Sequence, residues 1–219
     1  MKKVRIDEKL KQKVPGYCLA VMSFEMSILP TDDTIKAEVL TIEKQERSAL
    51  TLETLLKQPR ILEARQGYKA LGKDPSRYRL ATESLLRRII KGNGLYYVCN
   101  AVDIGNILSV KTRRSVAVLD EEEIQGDIII RIGRNEPFEG MGRGKLNVEH
   151  IPVYCDELGP FGSPTSDTPR TKIKATTKQI LLFITSFNGT IGLEEDVELA
   201  KSLFSRFGGV VNFSLEMVE

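Results

Sequence analysis

The sequence predicts an α+β fold formed by one unit, with a sheet core that helices cover. Apolar runs rich in β-forming residues occur in distant parts of the chain, at residues 17–26, 128–132 and 180–187. Segments with apolar residues at helical spacing lie between and after these runs, and no internal repeat or low-complexity linker divides them. With 219 residues, of which 41% are hydrophobic, the chain is long enough to bury a substantial core.

Composition excludes several specialised classes of protein. The formal net charge of +2 is too small by itself to indicate a nucleic-acid partner. Cys18, Cys99 and Cys155 are odd in number and form no Cys-x-x-Cys pair, which indicates a reduced, cytoplasmic protein. The charged start lacks the apolar core of a signal peptide, and no apolar run approaches the roughly 20 residues that span a bilayer, so no membrane partner is expected.

The first third of the chain predicts an opening segment, a strand and several helices. Residues 1–13 are charged and predict an arm or an edge strand. We therefore expect an N-terminal arm over residues 1–14 and a single domain over residues 15–219. Asp32 can cap a helix that begins near Thr34, and Pro59 interrupts the helical stretch that follows.

The middle of the chain predicts two helices and a polar position inside the second. Residues 82–91 place apolar side chains on one helical face, and residues 96–99 form a short β-like run. In residues 100–109, Asn106 and Ser109 share one helical stripe. Asn is a poor helix former and its amide needs a partner, so we expect Asn106 to bond either backbone or substrate.

The last third predicts strands, turns and one helix. Residues 120–123 are acidic and indicate a solvated turn. Spaced glycines predict a turn at a β-hairpin or bulge, at Gly140, Gly142 and Gly144. The apolar patterns of three further segments predict a strand, a helix and a strand, at residues 151–155, 194–206 and 210–217.

A long polar connection, residues 159–173, lies between two predicted strands. Pro and Gly break regular structure here, and the small polar side chains that remain bond their own backbone and hold compact loops. Ser163, Thr165, Ser166 and Asp167 are therefore candidate pocket residues, because loops on rigid strands often carry binding groups. A well-tied surface connection without a ligand is the alternative.

Seven cations are candidates for contacts with the phosphates of an RNA. They are Arg87, Arg88, Lys111, Arg113, Arg114, Arg170 and Lys172. Arg87 and Arg88 lie near the C-terminal end of the helix predicted over residues 82–91, where cations favour the helix dipole. A solvated helix end is therefore the alternative for these two.

Several common chemistries find no support in the sequence. His150 is the only histidine and has no clustered ligands, so no metal site is predicted. If residues 149–155 form one strand, His150 and Cys155 point to opposite faces, which disfavours a Cys–His pair. No phosphate-binding or dinucleotide fingerprint is present, no cofactor is expected, and the sequence identifies no catalytic acid–base pair.

Short motifs in a fixed order resemble a known family. Residues 100–106, Asn-Ala-Val-Asp-Ile-Gly-Asn, resemble the Val-Asp-Ile-Thr-Asn run in the B3/B4 domain of the phenylalanyl-tRNA synthetase beta subunit. Residues matching further motifs follow in the expected order, at 118–120, 128–131 and 159–162. Free-standing proteins made only of this domain are similar at residues 70–79, 85–92 and 166–172. The resemblance covers about residues 15–215.

The resemblance implies a β-sandwich-like core of mixed topology flanked by helices, and a role in proofreading. In the synthetase, this domain hydrolyses tyrosine wrongly attached to the phenylalanine tRNA, in a pocket between the two halves of the domain. Matched by position, Gly105 and Asn106 stand where the family's Thr-Asn lines that pocket. Ala117 replaces the family's pocket histidine and Pro164 replaces the glutamate that recognises the tyrosine hydroxyl, which argues against selectivity for tyrosine.

The leading hypothesis is an RNA-binding, tRNA-editing-like protein that hydrolyses an aminoacyl ester in trans. Its expected partners are tRNA or aminoacyl-tRNA, together with the amino acid or aminoacyl moiety. A non-catalytic module of the same fold, which binds RNA or an amino acid, is the alternative. A structural or interaction protein without a pocket is a third hypothesis.

Overall fold

Two four-stranded sheets pack against each other in the computed structural model, which describes all 219 residues. The strands are β1 (Val4–Ile6), β2 (Cys18–Glu25), β3 (Val116–Asp120), β4 (Ile128–Ile132), β5 (Glu139–Gly140), β6 (Gly144–Lys145), β7 (Pro152–Asp156), β8 (Gly159–Gly162), β9 (Gln179–Ser186) and β10 (Ser214–Val218). The α-helices are α1 (Glu8–Lys13), α2 (Asp33–Ala49), α3 (Leu52–Leu55), α4 (Pro59–Ala70), α5 (Ala81–Ile90), α6 (Asn100–Thr112) and α7 (Leu193–Gly208).

The two sheets differ in topology. The first has the order β1-β4-β7-β8 and is mixed, because β1 pairs with β4 in parallel while the other pairs are antiparallel. The second is antiparallel and has the order β10-β2-β9-β3, with β2 and β9 in register from Cys18 opposite Ser186 to Glu25 opposite Gln179. Strands β5 and β6 form a separate hairpin.

The core forms three apolar layers, and the second sheet is buried on both faces. Residues of both sheets meet in one cluster, which includes Leu19, Ile130 and Phe183. The opposite face of the second sheet packs against α2, α5, α6 and α7. A smaller cluster around Tyr68 covers the outer face of the first sheet. This double burial explains why β2 and β9 are mostly apolar and do not alternate between apolar and polar residues.

The predicted α+β class, with a mixed-sheet core flanked by helices, is confirmed. Pro59 occupies the first position of α4, which explains the break between the helical stretches before and after it. The glycine-rich turn is the β5–β6 hairpin. Within the opening segment, β1 is an edge strand of the first sheet, and the sequence did not predict that α1 follows it.

Three local predictions were wrong. Residues 96–99 form no strand, because Tyr96 and Val98 are exposed and the N–H of Val98 bonds the Asp103 carboxylate. The acidic turn at residues 120–123 is not solvated throughout, since Glu121 is buried and accepts from Ser23 Oγ. The polar connection begins with a strand, β8, that pairs with β7.

No helix of the chain is both long and apolar enough to cross a membrane.

Candidate functional site

The segment after β8 is a tightly hydrogen-bonded loop, residues 163–168. Ser163 Oγ accepts from the backbone N–H of Thr165 at 3.2 Å and of Ser166 at 3.1 Å, and it donates to the Ser166 carbonyl at 3.0 Å. These bonds close a compact turn of the kind that serine commonly forms. The conformation of the loop is therefore fixed by its own side chains.

The same loop is fastened to two other parts of the chain through Pro164. Its carbonyl oxygen accepts from the backbone N–H of Ala81 at 2.8 Å and from Ser115 Oγ at 2.9 Å. Ala81 begins α5, and Ser115 precedes β3. The loop is thus a fixed part of the domain interior, beside the first turn of α5.

Two buried tyrosines from distant positions lie against this loop, and a third packs beside them. The Tyr68 hydroxyl and Thr165 Oγ1 lie 2.8 Å apart, as do the Tyr154 hydroxyl and Thr185 Oγ1. Tyr17 packs beside them, with its hydroxyl close to Tyr154. Burial raises the pKa of all three phenols, so each keeps its proton at neutral pH and can act as a hydrogen-bond donor.

Asp167 is the acidic residue of the site. The residue as a whole is half-buried, but its Oδ1 is shielded from solvent and has no hydrogen-bond partner. A Cβ at Gly162 would meet this oxygen at 2.9 Å and Cδ2 of Tyr154 at 2.7 Å, so only glycine admits this close approach. Burial raises the pKa of the Asp167 carboxyl to about 7.

The chain buries three side-chain polar atoms that lack a hydrogen-bond partner, and these are Tyr17 Oη, Asp167 Oδ1 and Thr168 Oγ1. The Tyr17 hydroxyl lies beside the Tyr154–Thr185 pair but has no hydrogen bond of normal geometry. Each such atom costs about 1–3 kcal/mol when left unsatisfied. Their concentration around β7, β8 and the loop therefore marks a place suited to a polar ligand.

The other predicted pocket segment is α6, and its polar side chains are used differently. Ser109 is buried, and its Oγ donates to the Arg114 carbonyl at 2.7 Å. Thr82 Oγ1 donates to the Ser109 carbonyl at 3.1 Å. The residue before it, Ala81, donates its N–H to the Pro164 carbonyl. The loop and the Ser109 end of α6 therefore meet through the first turn of α5. Asn106 is half-buried and makes no side-chain hydrogen bond within the chain.

Gly105 has a packing role that the sequence did not reveal. A Cβ at this position would meet Cγ2 of Val118 at 2.3 Å, so glycine lets α6 lie directly against β3. We expect Gly105→Ala to destabilise the protein by about 1–3 kcal/mol, because valine is stiff and cannot turn aside easily. Urea unfolding measures this change.

The double variant Gly105→Ala with Val118→Ala provides the control for that prediction. Removing the valine methyl groups makes room for the alanine, so the double variant should lose less stability than the sum of the two single changes. Additive losses, or a fully stable Gly105→Ala protein, would contradict the packing role.

Six of the seven cations predicted to contact phosphate have partners within the chain. Five form ion pairs, namely Arg87 with Glu83, Lys111 with Glu38, Arg113 with Glu46, Arg114 with Asp196 and Arg170 with Asp156. Arg88 donates to the Gly94 carbonyl at 2.7 Å and stacks on the Tyr96 ring.

Arg114 departs most from its predicted role. It is only 4% exposed, so its guanidinium serves the interior of the domain and presents no surface to a phosphate. Lys172, in contrast, is exposed and has no partner in the chain.

The main surface clefts do not include the predicted pocket residues. Five clefts of 440–610 Å³ are lined by other segments, such as residues 135–139 with 144–146. No group of three or more His, Cys, Asp or Glu side chains is arranged to hold a metal ion. The candidate site is therefore the hydroxyl-lined interior around Asp167, beside the buried side chains of Tyr68 and Tyr154.

Comparison with known proteins matches a family model and solved structures. The family model described as "B3/4 domain" matches residues 63–207. An N-terminal fragment of the phenylalanyl-tRNA synthetase beta-subunit from Pyrococcus horikoshii is similar in structure, with a TM-score of 0.46 and 11% identity. That match covers 99% of this chain and 50% of the other, so the chain spans about half the length of that fragment. Curated proteins give no match.

Proposed function

Because the chain belongs to the B3/4 domain family and is a domain related to tRNA synthetases, we propose that it hydrolyses the aminoacyl ester of an aminoacyl-tRNA. The observation that carries this proposal is the group of unpartnered buried polar atoms beside the loop at residues 163–168. This loop directly follows residues 159–162, one of the segments in which the sequence resembles the editing domain.

Asp167 is the proposed general base. With a pKa of about 7, its carboxyl is half ionised near neutral pH. The carboxylate is then present in quantity and is still basic enough to take a proton from water. Its Oδ1 makes no competing hydrogen bond. The carboxylate takes a proton from a water molecule, and the oxygen of that water attacks the ester carbonyl carbon. The proton then passes to the ribose oxygen as the carbon–oxygen ester bond breaks.

Two hydroxyls are the proposed donors to the oxyanion that forms during this attack. Tyr17 Oη and Thr168 Oγ1 are buried and have no partner, so their protons are available. Burial raises the pKa of Tyr17, which keeps the phenol protonated. Preorganised donors in a water-poor site stabilise developing charge more strongly than the same groups do in water.

A non-catalytic binding module is the second candidate, and a specific observation favours it. Ser109 and Ser163 already donate their hydroxyl protons to carbonyls of the chain, and the Thr165 hydroxyl bonds that of Tyr68, so these groups support the fold and add no free donor for catalysis. Ala117 and Pro164 also stand at positions where the resemblance implies a catalytic-site histidine and glutamate. In this case the same interior holds an amino acid or an RNA end without reaction.

The test is to incubate the purified protein with correctly and wrongly charged tRNAs and to measure release of the amino acid. After subtraction of release in buffer, we expect at least one tRNA to be deacylated. The rate should rise about tenfold per pH unit below about pH 7 and level off above it, as Asp167 ionises. If no tRNA releases its amino acid faster than it does in buffer, the proposed hydrolase activity is wrong. Saturable binding without release would then identify the binding module.

A further inference from the structure

A glycine-rich hairpin lies directly over the proposed site. Strands β5 and β6 pair through Gly140 and Gly144, and the turn between them is residues 141–143. Gly142 and Gly144 have φ of 64° and 68°, a backbone conformation that favours glycine. The turn is closed by the Arg143 N–H, which donates to the Gly140 carbonyl at 3.0 Å.

Two contacts fix this hairpin to the loop at residues 163–168. The Met141 N–H donates to the Asp167 carbonyl at 2.8 Å. A Cβ at Gly140 would lie 3.2 Å from Ser166 Oγ, so the hairpin backbone approaches the Ser166 side chain at this point. The position of the hairpin is therefore tied to the residue proposed as general base.

The tip of the hairpin carries an unpaired cation. Arg143 is exposed, and its guanidinium makes no ion pair or hydrogen bond within the chain. It is nevertheless near the loop, because Met141, two residues before it, donates its N–H to the Asp167 carbonyl. Six of the cations predicted from sequence differ from Arg143, because each has a partner within the chain and would have to break that contact to bind a phosphate.

We propose that Arg143 contacts a phosphate at the acceptor end of the RNA and so positions the ester at Asp167. This proposal rests on the proposed function. A guanidinium is suited to the task, because its fork of N–H donors binds phosphate oxygens in pairs. Lys145 on β6 is also exposed and unpaired, which adds positive charge to the same face, while Glu139 opposite it is the one carboxylate on the hairpin. Arg143 is a positioning residue and takes no part in the bond changes.

The test compares two substrates for the wild type and Arg143→Ala. One is a charged tRNA, and the other is the ethyl ester of the same amino acid, which has no phosphate. We expect kcat/KM for the tRNA to fall by about 10-fold to 100-fold, the effect of losing one charged hydrogen bond, with no change for the ethyl ester. Arg143→Lys should recover part of the loss, because it keeps the charge. Arg134→Ala removes another exposed arginine without a side-chain partner and serves as the matched control.

Two results would overturn the proposal while leaving the proposed function in place. An equal loss of kcat/KM for both substrates would show that the hairpin only supports the structure of the site. No loss for either substrate shows that Arg143 does not contact the RNA.

A binding measurement keeps the proposal testable if the protein deacylates nothing. The affinity for uncharged tRNA is measured over a range of salt concentrations. Arg143→Ala should reduce the slope of log K against log salt by about one, because one phosphate contact is lost, and Arg134→Ala should leave it unchanged. The proposal is wrong if the slope of log K against log salt for Arg143→Ala equals that of the wild type, or if the wild type does not bind tRNA.

Discussion

Replacing Asp167 with asparagine should slow ester hydrolysis by about 10²-fold to 10⁴-fold, the usual contribution of a positioned general base. Asparagine has nearly the shape of the acid but cannot accept the proton of the attacking water. The remaining activity should also lose its dependence on pH near 7, because the group responsible for that dependence is absent. Initial rates of amino-acid release at several pH values measure both effects.

The same substitution should make the protein more stable at alkaline pH. Burial raises the folded-state pKa of Asp167 to about 7, above the unfolded value near 4, so the folded state holds the proton more tightly. Stability of the wild type therefore falls as pH rises from about 4 to about 7, by up to about 4 kcal/mol. Asparagine stays neutral, so Asp167→Asn should match the wild type at about pH 4 and exceed it above about pH 7.

Urea unfolding at about pH 4 and about pH 8 separates this outcome from an ordinary destabilising mutation. The control is Asp33→Asn, since the Asp33 side chain is 98% exposed and its removal should leave the pH dependence unchanged. A variant that is active but more stable, or one that is less stable at every pH, would contradict the role of Asp167. Loss of activity together with gain of stability is expected of a carboxyl kept for function at a cost to the fold.

The sequence alone predicted the main strands, because those strands are buried on both faces and are therefore mostly apolar. Residues 17–26 and 180–187 are mostly apolar runs, and a run of that length is stable only when it is buried. The failures occur where one long-range contact decides the outcome. Glu121 is buried because Ser23, on β2, bonds it, and no local pattern predicts that partner.

The candidate site was predictable only in part, for a related reason. Small polar residues between Pro and Gly indicated the loop that contains Asp167, since such residues bond their own backbone. The tyrosines around that loop could not be found by spacing, because Tyr17 precedes β2, Tyr68 is in α4 and Tyr154 is in β7, far apart in the sequence. Only the structure shows that the hydroxyls of Tyr68 and Tyr154 pair with those of Thr165 and Thr185.

The roles of the basic residues were the hardest to predict, because the sequence shows a charge but not the group that it pairs with. A buried carboxylate deep in the fold can bind an arginine that looks free in the sequence. Arg114 follows two other basic residues and resembled a phosphate contact, yet it lies beside Asp196 in the first turn of α7. This difference leads to the largest effect on stability that the structure predicts.

Asp196→Asn should destabilise the protein by about 3–5 kcal/mol, the cost of breaking a buried ion pair from one side. The two carboxylate oxygens of Asp196 accept from Arg60 at 2.8 Å and from Arg114 at 2.6 Å. Asparagine keeps one oxygen and turns an N–H₂ group toward an arginine. Arg114 would then remain buried with only the Ile191 carbonyl, 2.8 Å away, as a partner for its charged group. The shift in the urea midpoint measures the loss.

Lys111→Ala is the matched control, because it removes a surface cation whose pair with Glu38 should contribute only about 0–1 kcal/mol. The comparison also separates a structural role for Arg114 from a role in RNA binding. If Arg114 serves the fold, Arg114→Met and Asp196→Asn should both lower stability, and tRNA affinity measured well below the unfolding midpoint should not change. If instead Arg114→Met is stable and weakens tRNA binding, the guanidinium leaves Asp196 for a phosphate, and the buried ion pair is not the state that binds RNA.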